Sequence, residues 1–170
     1  MNLIINRSFL FTLPKIQQLC FKYTMGKVLE IGITSSKGGQ IVNVIEVEAL
    51  KGKGLINDRK FKENNPKECQ ITLIEIENID SYNNITKTKI PPLNFRRNII
   101  TKNINLNNLL GKEFYVGKVK LIAHDLCRPC KYLQGKLKQK NIIKEFLNKG
   151  GLRCEILTSG KISVGDIIKQ

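Results

Sequence analysis

The sequence predicts a mainly β protein, a β-barrel with a few short peripheral helices. Three observations lead there. Apolar residues recur in many short runs, turns rich in glycine, proline and asparagine separate those runs, and only one stretch carries a clear helical stripe. At 170 residues the chain is one domain, long enough for a real core and too short for two independent ones. Its hydrophobic content of 41% fits a soluble globular protein. No apolar run approaches the ~20 residues that a transmembrane segment needs.

The elements follow in order. Lys27–Thr34 and Gln40–Ala49 are expected as strands joined by the Ser35-Ser36-Lys37-Gly38-Gly39 turn. Lys51–Asp58, basic and punctuated by glycine, is a loop. Gln70–Ile74 is a strand running into a short helix over Glu75–Tyr82, and Asn83–Pro92, polar with a double proline, is an exposed loop. Asn98–Lys102 supplies another strand, and Phe114–Asp125 a hairpin turning at Gly117-Lys118. Lys136–Asn148 is the clearest helix, with Leu137, Ile142, Ile143, Phe146 and Leu147 as its apolar stripe and Gly150 as its stop. Short strands over Cys154–Thr158 and Lys161–Ile168 close the chain.

The formal charge is +15, from 29 basic and 14 acidic residues. Residues 1–25 hold Arg7, Lys15 and Lys22 and no acidic residue, so without them the body still carries +12. Such a charge favours anionic partners, although a composition rich in Asn, Ile and Lys gives scattered lysines for solubility alone. No arginine-rich tract or nucleic-acid module is present, so nucleic acid is not the expected partner. The basic, acid-free N-terminal extension reads as a transit peptide, mitochondrial first; an ordinary extension or an unused upstream start would leave the protein cytoplasmic. The domain proper is then residues 26–170. Five cysteines without paired spacing point to a reducing compartment.

The chemistry concentrates at Leu126-Cys127-Arg128-Pro129-Cys130. Thiolate is the reactive and ligating form of cysteine, and cations such as Arg128 and Lys131 lower the cost of forming it. Cys127 and Cys130 are compatible with half a zinc site, a dithiol pair, a sulfur carrier or a soft-metal ligand, and also with two inert buried thiols. A second zinc knuckle is missing: Cys20, Cys69 and Cys154 are isolated, and His124 is the lone histidine. No parallel βαβ pattern surrounds the motif, as a thioredoxin-like site requires.

Around it stands an ordered series: Gly54-Leu55-Ile56-Asn57-Asp58-Arg59, Cys69-Gln70-Ile71-Thr72-Leu73-Ile74-Glu75, Phe95-Arg96-Arg97-Asn98-Ile99-Ile100-Thr101, Leu110-Gly111, Val116-Gly117, the two cysteines, Gly150-Gly151-Leu152-Arg153 and Ile162-Ser163-Val164-Gly165-Asp166. Over residues 26–169 this series resembles the MOSC domain, a family related to the C-terminal domain of molybdenum cofactor sulfurases and to MOSC-type molybdenum reductases. The resemblance implies a β-barrel with small peripheral helices and the molybdenum cofactor, molybdopterin with Mo, as ligand. It makes Cys130 the molybdenum ligand or the carrier of transferable sulfur, with Cys127 a resolving partner or a residue that shapes the loop. It makes Arg96 and Asn98 the cofactor-binding pair. On a strand these two share a face that Arg97 does not, which ranks Arg96 above Arg97. Asp58 is expected to brace its turn while Arg59 faces an anion, and Lys53 and Arg153 are further cofactor-binding candidates beside Arg128. Asn57 stands where the family usually has glycine, and asparagine is the next best residue for a left-handed turn. Asn103 and Asn105 replace a usual Gly and Asp, removing a carboxylate. Asp166 reads as a turn former and His124 as a satisfied barrel histidine, with proton transfer near Cys127 its alternative role.

Three functional readings follow. In the first, the protein binds the cofactor and reduces a small-molecule substrate, an N-hydroxylated compound; with no flavin, haem or iron–sulfur motif in the chain, an electron-donor redox protein must serve it. In the second, Cys130 carries a persulfide received from a separate cysteine desulfurase, because 170 residues leave no room for a pyridoxal-phosphate domain. The third is a non-enzymatic basic module for nucleic acid or another anion, with structural cysteines.

Overall fold

Alternating burial along Gly26–Ile33 makes it a barrel strand, β1, with Val28 and Ile31 inside. A bulge between Val28 and Glu30 shifts its register, and Leu29 packs against a second core outside the barrel. The structure, a computed structural model, describes residues 25–170. The transit-peptide expectation therefore falls outside the described residues, as does Cys20.

The other barrel strands are β5 (Ile71–Glu75), β6 (Ile99–Lys102), β7 (Glu113–Val116), β8 (Val119–Leu126), β9 (Leu152–Ile156) and β11 (Ile167–Lys169). Their order, β1-β6-β5-β9-β8-β7-β11, returns to β1 through Gly26↔Ile168 and Lys27↔Ile167, closing a seven-stranded barrel. Closure removes the open edges that a sheet must otherwise protect. All neighbours are antiparallel except β5 and β6, which a helix, α1 (Ile76–Thr86), joins as a parallel crossover. Strand β2 (Val42–Val44) pairs only with β1, and β3 (Glu46–Leu50), β4 (Gly54–Leu55) and β10 (Gly160–Ser163) form a separate three-stranded sheet.

Two cores result. Val28, Ile31, Leu73, Ile99, Phe114, Leu121, Ile156 and Ile168 help fill the barrel. Outside it, Ile74 and Ile100, the alternate residues of β5 and β6, meet Ile79 and Tyr82 of α1 together with Leu133, Leu137, Ile142 and Phe146. Phe95, Tyr82 and Phe146 close this second core, with Phe95 and Phe146 ring centroids 4.8 Å apart. Strand β5 is buried along all five residues because both of its faces are covered.

Four expectations need correction. The single strand over Gln40–Ala49 is β2 and β3, broken at the exposed Ile45 and belonging to different sheets. Lys161–Ile168 likewise divides into β10 and β11. Helix α1 runs four residues past Tyr82, stopping where Lys87 turns left-handed. The helix over Lys136–Asn148 is two, α2 (Lys131–Leu137) and α3 (Ile142–Glu145), because Lys138 takes φ +52° and ends the first. Of its supposed stripe, Leu137, Ile142 and Phe146 are buried, whereas Ile143 and Leu147 face solvent. No helix of the described residues is long and apolar enough to cross a membrane.

Candidate functional site

Where β8 ends, the two cysteines of the motif part company. Cys127 is buried; its amide donates to Gly151 O at 2.7 Å and its thiol to Leu152 O at 3.2 Å. Burial pushes the Cys127 thiol up, against the opposing pull of Arg97, Arg153 and Lys60. Cys130 is exposed and caps the start of α2, its carbonyl accepting from Gln134 N. The four described cysteines are free thiols. The backbone beneath the motif is held by Gly150 and Gly151: a Cβ on the first would overlap the Cys127 carbonyl, and one on the second the Leu73 carbonyl.

Both thiols line a pocket of about 430 Å³ at one end of the barrel. Arg96, Arg97 and Asn98 form a second wall. Arg96 is not on a strand, as the ranking over Arg97 assumed. It takes φ +60° after the 3-10 turn Pro92–Phe95, and β6 begins only at Ile99, so strand alternation does not separate the three and all of them line the pocket. Arg96 Nη1 donates to Gly39 O at 3.0 Å, and Arg97 Nε donates to Gly150 O at 2.9 Å while its Nη1 reaches Phe95 O. Asn98 spends its amide on the protein: Nδ2 donates to Gly32 O, with Asp58 Oδ2 3.4 Å away, and Oδ1 accepts from Thr72 N and Oγ1. It fastens β1 to β5 instead of reaching into the space.

The third wall is the turn at Asn57, which adopts φ +64°, the left-handed conformation that asparagine tolerates in place of glycine. Asp58 braces this turn, accepting from Thr34 N at 3.2 Å and Lys60 N at 3.0 Å. Arg59 and Lys60 follow on the pocket wall, and among the described residues neither side chain has a hydrogen-bond acceptor. Burial, first, and then Arg59 and Arg153 lower the Lys60 pKa, partly offset by Cys69 and Cys127. Arg153 donates from Nε to Glu68 O at 2.9 Å and from Nη2 to Cys69 Sγ at 3.0 Å. Arg128 stands at the mouth, 83% exposed and 3.9 Å from Asp125.

Lys53 is the one candidate that lies elsewhere: it pairs with Glu63 at 2.6 Å, away from the pocket. The lysine-rich loop gave no means of telling it from Lys60, whose place depends on the turn that Asp58 braces. His124 pairs with Glu155 at 2.8 Å and is no part of the pocket lining. Asn103 takes φ +59°, Asn105 caps a 3-10 turn by accepting from Asn107 N, and Asp166 accepts from Ser163 N; these are turn residues. The sequence reading missed Lys60, Thr72, Asp125 and Tyr132. Tyr132, two residues past Cys130, was within reach of it; Thr72 required the pairing of β5 with Asn98 to be known.

Six cations, Arg59, Lys60, Arg96, Arg97, Arg128 and Arg153, thus face two carboxylates, Asp58 and Asp125. The arrangement suits an anionic ligand. A sequence profile of the MOSC domain matches residues 55–169. The chain belongs to the MOSC family. No curated protein matches it. Among solved structures it is similar to the YuaD protein from Bacillus subtilis, with a TM-score of 0.72 at 17% identity over 85% of this chain and 94% of that one. YiiM from Geobacillus stearothermophilus gives 0.65 at 15% identity, over 85% and 74%. YiiM from Escherichia coli gives 0.64 at 18% identity, over 84% and 68%. At these identities the likeness establishes the fold.

MOSC domains are associated with the molybdenum cofactor, and the chemistry of this MOSC pocket fits such a group. Its guanidinium-rich walls match a phosphate-bearing pterin, and a solvent-open thiol stands at the rim. Among the described residues no three His, Cys, Asp or Glu side chains gather as a metal cage.

Proposed function

We propose that this MOSC protein binds the molybdenum cofactor in the basic pocket, with Cys130 as the metal's protein ligand, and reduces N-hydroxylated compounds with electrons from a partner protein. The observation that carries the reading is one exposed thiol beside six cations in a single pocket. Thiolate is a soft ligand suited to molybdenum, and guanidinium pairs bidentately with phosphate. When bound, the cofactor would supply two-electron, oxygen-accepting chemistry. The chain's own residues orient it and manage protons. Arg96 and Arg97, fixed through Gly39 O and Gly150 O, present their remaining donors to the ligand. Converting N–OH to N–H consumes two electrons and two protons and releases water, and Lys60, its pKa lowered by burial, is the proton donor on the wall.

The test is to purify the full chain anaerobically from cells that make the cofactor and to measure molybdenum and pterin per chain, beside Cys130→Ala. Stoichiometric metal in the wild type and its loss in the variant are expected. A wild type without metal overturns the reading. A second reading has its own support: Cys130 lies between the exposed Arg128 and Lys131, open to a protein that delivers sulfur. A wild type without metal whose Cys130 carries one additional sulfur by peptide mass spectrometry would select that persulfide role.

A further inference from the structure

The chain from Arg128 to Lys149, which runs from the mouth of the pocket through α2 and α3, holds seven basic residues and one acidic, Glu145. All seven, Arg128, Lys131, Lys136, Lys138, Lys140, Lys144 and Lys149, are exposed. Among the described residues only Arg128 has a carboxylate within 4.0 Å, at 3.9 Å. Elsewhere four lysines have carboxylate partners, Lys53 with Glu63, Lys67 with Glu155, Lys120 with Glu113 and Lys161 with Glu46, while scattered ones such as Lys62, Lys112 and Lys118 have none among the described residues. What sets this face apart is the density of its cations in one short stretch. Between the unpaired lysines, apolar side chains stand in solvent: Leu147 at 63%, Tyr132 at 48% and Ile143 at 38% exposure. They are surplus to the core, because Leu133, Leu137, Ile142 and Phe146 of the same stretch already supply its buried face.

From this face we infer that the protein docks peripherally on an anionic lipid surface. Lysines near an anionic bilayer each contribute attraction, while protruding aliphatic and aromatic side chains enter the boundary between headgroups and acyl chains. Composition favours lipid over an acidic protein. Protein interfaces are enriched in arginine and depleted in lysine, and they use both signs of charge to fix register. Here six of the seven cations are lysine, and Glu145 is the one acidic residue among them. Long, flexible lysines suit a fluid surface that demands no register. Tyr132 belongs both to this face and to the pocket lining, and Lys136 Nζ donates to Gly38 O, tying α2 to the loop beside the pocket. Docking therefore turns the pocket mouth toward the membrane, where amphiphilic molecules collect. The inference does not depend on what the pocket holds.

The experiment is co-sedimentation of the full chain with vesicles of phosphatidylcholine alone, and of phosphatidylcholine and phosphatidylserine in equal parts. The variants are Lys140→Glu/Lys144→Glu/Lys149→Glu, Ile143→Ser/Leu147→Ser, and a control of equal charge change elsewhere, Lys62→Glu/Lys112→Glu/Lys118→Glu. Residues 1–24 are common to all four proteins, so their own affinity cancels. The wild type should bind the anionic vesicles and not the neutral ones. The lysine reversal should weaken binding by at least about tenfold and the serine pair by about fivefold, with the control close to wild type. Circular dichroism checks that each variant is folded. No sedimentation by the wild type, full binding by the lysine reversal, or equal loss in the control overturns the inference. So does a lysine reversal that leaves vesicle binding intact but slows turnover driven by an acidic electron-donor protein, which would make this a protein-docking face.

Discussion

Cys127 and Cys130 are three residues apart and chemically unlike. Cys127 donates to Leu152 O from a buried site that raises its pKa, and Cys154 beside it is raised further by burial. Cys130 is in solvent. Near neutral pH a thiol-alkylating reagent should therefore modify Cys130 at least about tenfold faster than Cys127 or Cys154. Peptide mapping after timed quenching measures this, and equal rates would show that the loop opens. Lys60 gives a second prediction. Its folded pKa is lowered, so as pH rises it loses its charge before the surface lysines do, and an anionic ligand loses one contact on the alkaline side. Metal and pterin retained after dialysis should fall in the wild type as pH rises toward the ordinary lysine value, and should stay flatter in Lys60→Arg. The same shift acts on stability with the opposite sign. Between the lowered pKa and the ordinary value the unfolded chain holds the extra proton, so the contribution of Lys60 to stability rises with pH there.

Gly150-Gly151 is the element on which the cysteine loop rests. Arg97 grips Gly150 O, Cys127 N grips Gly151 O, and neither glycine has room for a Cβ. Gly151 also takes φ +90°. Gly150→Ala should destabilise the protein by about 3 kcal/mol, measured by urea denaturation, because a backbone carbonyl and not a flexible side chain must move. It should also raise the alkylation rate of Cys127 as the loop lifts. At this scale the sequence was legible where local chemistry decides and opaque where partners do. Turns at Gly38, Asn57 and Gly117 could be read because φ > 0 calls for glycine or asparagine. The break between α2 and α3 could not, since Lys138 is an ordinary helix former and its left-handed turn is imposed by burying Leu137 and Ile142 in one core. Ile45 likewise continues an apolar run and yet divides two sheets. The cysteine and arginine motifs pointed to the pocket because each lies at the end of a barrel strand. Arg96 was read with the wrong geometry, since its strand starts three residues later.

Across the described residues, one seam joins the first barrel strand to the last. Strand β11 is three residues long and pairs with both β1 and β7. Around it Val28 N donates to Asp166 O, Gly165 N to Val28 O and Gly117 N to Ile167 O. The pocket is assembled from β1, β5, β8, β9 and their loops, so its walls hold their spacing only while the ring is closed. Neighbouring residues of β11 should then respond very differently to truncation. Ile168 is fully buried inside the barrel, opposite Gly26 and Val116. Ile168→Ala should cost about 2–5 kcal/mol through lost burial and the cavity left behind. Ile167 is 39% exposed on the outer face, and its backbone bonds survive substitution, so Ile167→Ala should cost under about 1 kcal/mol. Urea denaturation of both variants measures the contrast, and cofactor content reads its effect on the site. A similar cost for both would mean that β11 lies on the barrel's surface without closing it. The seam would then have to be sought between β1 and β7 directly, with the walls of the pocket held by the helices alone.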